Sequence, residues 1–161
     1  MIQRIQTLYL LAIVILGITL IFQPVLQLNT LESADELRIY NLSASGLELL
    51  TNEDCQPVIC LQGLWGLLVT TALIPLLALI DIFLYRKRIL QARLNIFLAM
   101  LCLGYYGVLY IYIWQAKLAL EVEWNIVPWA SIPLICFVLT IMATRRILKD
   151  EALVRAADRI R

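Results

Sequence analysis

The chain has no histidine. Bis-histidine haem ligation, histidine-bearing zinc or di-iron sites and histidine acid-base chemistry all need an imidazole, so those classes drop out. No catalytic constellation, metal-ligand spacing or nucleotide signature stands in their place, and the expectation is a non-enzymatic protein with no catalytic residue, no cofactor and no metal. Charge is scarce where it would matter most. No Asp, Glu, Lys or Arg falls between Ile5 and Leu31, and Asp81 is the one acidic residue within an apolar run. A small-x-small cleavage site is also missing after Phe22, which reads the opening Met1-Ile2-Gln3-Arg4 and the apolar run behind it as an uncleaved first span.

What is present is hydrocarbon. Of 161 residues, 62% are hydrophobic and the mean hydropathy is +0.85, far above the roughly 45–50% apolar content of a soluble domain. The stretch from Leu64 to Arg93 shows why. It opens on Leu64-Trp65-Gly66, runs apolar to Ile80 and closes on Asp81, Tyr85, Arg86, Lys87, Arg88 and Arg93. About 20 apolar residues in a helix rise far enough to cross roughly 30 Å of hydrocarbon, and Lys and Arg are retained on the cytoplasmic side. This span therefore sets the polarity of the whole chain.

A single domain follows, with spans near 5–24, 61–85, 94–116 and 127–146, outer loops 25–60 and 117–126, a basic cytoplasmic turn 86–93 and a cytoplasmic tail 147–161. Gln23-Pro24 ends the first span, because Pro cannot continue the helical hydrogen bonding. Pro75 predicts a kink in the second, and Pro133 a bend in the fourth. In the third, Gly104 and Gly107 share a face, which predicts close approach of a neighbouring helix. The first outer loop shows period-two alternation at residues 25–29, 36–42 and 46–49, and the second does so more clearly across Lys117–Val127. Short strands are the expected outcome, paired with one another across the loops, against the alternative of a loose amphipathic loop. The fold class is thus an all-α membrane protein: a four-helix transmembrane bundle with a small periplasmic antiparallel β-sheet cap. Its layout is similar to that of claudin-like four-span proteins, an analogy of fold alone.

Charge by side tests this topology. Eleven of the thirteen basic residues fall inside, and only Arg38 and Lys117 fall outside. All four tryptophans, Trp65, Trp114, Trp124 and Trp129, map to the outer interface as anchors. The basic residues Arg86, Lys87, Arg88, Arg93, Arg145, Arg146 and Lys149 are candidate contacts for anionic lipid. The expected place is the bacterial inner membrane, multi-pass, with both termini cytoplasmic.

Few residues carry chemistry. Cys55 and Cys60 flank Gln56-Pro57-Val58-Ile59 in the outer loop; a disulfide, free thiols and a redox pair are the open alternatives. A relay to a second outer pair has no partner, since Lys117–Val127 lacks cysteine. Cys102 and Cys136 read as small apolar fillers. Asp81 lies about one turn from Arg86, and an intramembrane ion pair with Arg86 or Arg88 competes with a proton-relay role. The tail, Arg145–Arg161, reads as a short helix attracted to the inner lipid surface in preference to a nucleic-acid or partner-binding arm.

The opening Met1-Ile2-Gln3-Arg4-Ile5-Gln6-Thr7-Leu8-Tyr9-Leu10, the closing Val154-Arg155-Ala156-Ala157-Asp158-Arg159-Ile160-Arg161 and the basic turn Arg86–Asn95, with Gln91 and Arg93, resemble a Bacteroidota-type family of small four-span inner-membrane proteins catalogued as a domain of unknown function. The resemblance implies an inner-membrane location and supplies no activity. Expected partners are the lipid bilayer and proteins of a membrane complex, not nucleic acid; a homo-oligomer stays open. The leading functional expectation is an accessory or scaffold subunit of a larger cell-envelope complex. Its alternatives are a small transporter or lipid-handling protein, which requires a polar or lipid-accessible cavity near Asp81 or the Tyr105–Tyr112 face, and, more remotely, a thiol-disulfide redox protein.

Overall fold

The computed structural model describes residues 3–31, 37–44, 46–49, 65–84, 87–119 and 122–158. Four helices, α1 (Gln3–Phe22), α2 (Trp65–Phe83), α3 (Arg88–Ala119) and α4 (Ile132–Asp158), alternate in direction along the chain. Each packs on its neighbours in a closed ring: α1 on α2, α2 on α3, α3 on α4 and α4 back on α1. Stretches of α2, α3 and α4 are long and apolar enough to cross a membrane, and α1 adds the apolar segment Gln6–Phe22. Together they make a membrane bundle. The inward stripes carry Leu10, Ile13 and Leu20 of α1, Leu67 and Ile74 of α2, and Leu98 and Tyr105 of α3. Large apolar side chains cover the outward faces as well, as lipid contact requires.

One end of the ring is closed by an antiparallel sheet, as the alternating patterns of both loops predict. Strands β1 (Leu26–Leu31), β2 (Leu37–Ser43), β3 (Gly46–Leu49) and β4 (Val122–Ile126) lie in the order β3-β2-β1-β4. Strand β1 pairs with β2 (Leu26 opposite Leu42) and with β4 (Leu26 opposite Ile126), so it joins the two connecting segments. Val25 extends both ladders, donating from its amide to Leu42 O (2.8 Å) and accepting from the Val127 amide (3.3 Å).

Several boundaries differ from the sequence reading. The basic turn is shorter than 86–93, because Arg88–Arg93 already belong to α3; Arg, Ile, Leu, Gln and Ala are adequate helix formers, and nothing in that run breaks a helix. At the other end Lys117–Ala119 close α3, so the last strand is Val122–Ile126 and not Lys117–Val127. The fourth span begins with a 3-10 turn at Pro128–Ser131, and Pro133 is the second residue of α4, where its missing N–H costs nothing. The tail is no separate helix: with no Pro or Gly from Leu134 to Asp158, α4 simply continues.

The close helix approach also sits elsewhere. Gly104 and Gly107 are exposed, and a Cβ at either would meet nothing within 4 Å. At Gly17, a Cβ would meet the Pro75 ring at 2.9 Å (Cδ) and 3.0 Å (Cβ). The proline that α2 carries in its middle is packed into the one notch α1 offers. Gly17→Val therefore lowers the stability of the bundle by about 1–3 kcal/mol, read as a lower melting temperature in detergent, while Gly104→Ala leaves it unchanged or slightly higher.

Candidate functional site

Polar side chains inside an apolar bundle are costly unless satisfied, so the first question is which of them find partners. The threonines look after themselves. Thr71 donates to Leu67 O (2.6 Å), Thr140 to Cys136 O (2.7 Å) and Thr144 to Thr140 O (2.8 Å), each one turn back on its own helix. At the end opposite the sheet, Gln6 Nε2 of α1 donates to Asp150 Oδ2 of α4 at 2.9 Å and ties the two helices.

Asp81 is different. It is 1% exposed, in the last turn of α2, and neither carboxylate oxygen has a hydrogen-bond partner among the described residues. Its backbone carbonyl is well used, accepting from Leu84 N (3.2 Å) and from the buried Gln91 Nε2 of α3 (3.2 Å). One turn beyond Gln91, Asn95 is fully buried and its amide stands beside the Asp81 carboxyl. The contact falls short of a hydrogen bond of ordinary geometry, leaving Asn95 Oδ1 and Nδ2 unpartnered too. Tyr105, buried deeper along α3, adds a third unpartnered group, its hydroxyl. The α2–α3 seam thus holds a carboxyl and an amide, side by side, that no described residue satisfies.

Arg86 and the Arg88 side chain lie outside the described residues, and the expected ion pair of Asp81 with them lies there as well. So do Cys55 and Cys60. Cys102 and Cys136 are buried free thiols. Lys87, Arg93, Arg145, Arg146 and Lys149 are exposed, all at the end opposite the sheet. Trp65, Trp114 and Trp129 are exposed at the sheet end; the Trp124 side chain lies outside the described residues, with its backbone in β4. Sequence reasoning singles out Asp81 but gives Gln91 and Asn95 no part in a site, naming them only in the stretch that carries the family resemblance. Their i, i+4 spacing at the start of the third span, one face with two amides, was the available signal.

A second feature lies under the sheet. Tyr106 of α3 donates its hydroxyl to Ala130 O at 2.8 Å and accepts from the Leu134 amide at 3.1 Å. That amide is an orphan donor of the α4 N-terminus, where Ile132 N bonds Trp129 O and Pro133 has no N–H. Beside this clamp runs an apolar cleft of about 350 Å³ between α3, the 3-10 turn and the sheet.

A family model described as a domain of unknown function (DUF4293) matches residues 2–160, nearly the whole chain. The chain belongs to the DUF4293 family. No curated protein matches this DUF4293 chain.

Two substitutions separate the roles of these groups. Tyr106→Phe strands the Ala130 carbonyl and the Leu134 amide and lowers stability by about 1–3 kcal/mol, measured by thermal unfolding in detergent. Asp81→Asn keeps the shape and removes the charge of a buried carboxyl that has no hydrogen-bond partner among the described residues, so the bundle melts at the wild-type temperature or above it in the same measurement.

Proposed function

We propose that this DUF4293 protein is a non-enzymatic integral membrane protein of the bacterial inner membrane, with four spans and both termini cytoplasmic, and that it serves as an accessory or scaffold subunit of a larger cell-envelope complex. The observation that carries this reading is the sheet. Two connecting segments far apart in sequence are zipped by β1 into one fixed relief on the bundle, and β3 and β4 stand at its edges among the described strands. Edge strands present backbone groups that another chain can pair with, and a rigid cap on an apolar bundle suits assembly. The exposed basic residues at the opposite end support the orientation, since Lys and Arg stay on the cytoplasmic side.

A specific observation favours a second reading, a small transporter. The Asp81–Asn95 pair is buried and, among the described residues, without a hydrogen-bond partner, and buried ionisable groups within a membrane bundle are where membrane proteins handle a passing proton or ion. Cells carrying Asp81→Asn then lose function while the protein is made and inserted at normal levels. Unchanged growth and assembly in that strain removes the transport reading.

The subunit reading is tested by purifying the tagged full-length chain from its native membrane in mild detergent and identifying what accompanies it by mass spectrometry. A defined set of proteins in stoichiometric amount is expected. A solitary monomer or homo-oligomer overturns it.

A further inference from the structure

The cleft under the sheet is built by three elements that cannot close on one another. Chain direction changes at Pro128, and the tight 3-10 turn to Ser131 holds the start of α4 away from the end of β4. Leu26 and Ile126 of the sheet form one wall, Pro128 and Ala130 of the turn a second, and Tyr106 and Leu109 of α3 the third. Ile126, Pro128 and Ser131 are exposed, so the cleft is open to its surroundings.

Its chemistry restricts what can enter. Two side-chain hydroxyls touch the cleft, and both are committed. The Tyr106 hydroxyl donates to Ala130 O and accepts from Leu134 N, and the Ser131 hydroxyl donates to Pro128 O at 2.7 Å. The remaining lining side chains are hydrocarbon. A phosphate headgroup or a peptide carbonyl would be stripped of water there with no side-chain hydroxyl proton free in exchange. A hydrocarbon chain loses nothing.

Its depth points the same way. Trp129 is exposed beside Pro128, and Trp114 is exposed eight residues beyond Tyr106 on α3, about 12 Å further along the helix axis. Tryptophans favour the membrane interface, and Trp129 lies between the lining residues Pro128 and Ala130, which sets the mouth of the cleft at the boundary of headgroups and acyl chains on the sheet side. The exposed Leu134 and Ile135 of α4 continue the same apolar surface into the bilayer.

We propose that this cleft is a lipid site, seating one acyl chain of a phospholipid from the leaflet on the sheet side, with the headgroup left at the level of Trp129. The site does not depend on the subunit reading and holds whether or not the protein has partners. It also gives the clamp at Tyr106 a second consequence, because that hydroxyl, once committed, leaves the α3 wall entirely apolar.

The test uses the full-length protein, delipidated in detergent, and palmitoyl-oleoyl phosphatidylethanolamine as the probe, with binding read by native mass spectrometry. The wild type keeps one lipid under activation that strips the rest. Ser131→Trp, at an exposed position where the fold tolerates bulk, fills the mouth and weakens that binding by about tenfold or more; Leu109→Trp fills the floor and does the same. Wild type with no retained lipid, or a folded Ser131→Trp protein that retains it equally, overturns the proposal. Benzoylphenylalanine placed at position 131 and irradiated in native membranes gives an adduct of phospholipid mass; a protein adduct in its place assigns the cleft to a partner and overturns the lipid site.

Discussion

Backbone groups that leave a helix at a membrane surface must find partners, and β1 is where this chain meets that demand. Its two sides bond two different connecting segments, β2 in the first and β4 in the second. Without β1, β4 would be a lone strand on the apolar bundle. With it, the end of α1, the end of α3 and the start of α4 are held by one ladder, which Val25 carries down to the helix ends. The ring of four helices is therefore closed by hydrogen bonds at the sheet end and by side-chain packing along its length. At the opposite end a long-range bond, Gln6 to Asp150, joins the first helix to the last.

The apolar runs and alternating stretches of the sequence located the helices and strands because each rests on a local periodicity. Where the reading went astray, the deciding information was not local. The charges mark a basic turn at 86–93 and a separate tail after residue 146, yet charge alone does not end a helix: α3 already begins at Arg88, and α4 runs through its basic residues to Asp158. Gly104 and Gly107 have the spacing of a packing notch, but which face of α3 meets α2 and α4 is set by the rest of the bundle, and it turns these glycines outward. The real notch, Gly17 against Pro75, joins residues 58 positions apart and has no local signature. Asp81 was legible as an anomaly in an apolar run. Its neighbour Asn95 was not, because the turn between α2 and α3 had to be placed before the two could be seen to lie side by side.

Polar groups in the bundle fall into two kinds. Thr71, Thr140 and Thr144 are answered on their own helices, and Gln6 with Asp150 across two. Such groups fit a bundle that needs only to be stable. Asp81 and Asn95 are buried as completely, and no described side chain or backbone group answers them with a hydrogen bond of ordinary geometry.

Helix α4 runs unbroken from Ile132 to Asp158, 27 residues, or about 40 Å. That is longer than the hydrocarbon layer, which is roughly 30 Å thick. Its first turn is gripped by the Tyr106 hydroxyl and its far portion by Gln6. Its apolar stretch ends at Asp150, where Gln6 holds it, so the turns that follow to Asp158 carry the helix on past the hydrocarbon as a charged stem on the side opposite the sheet.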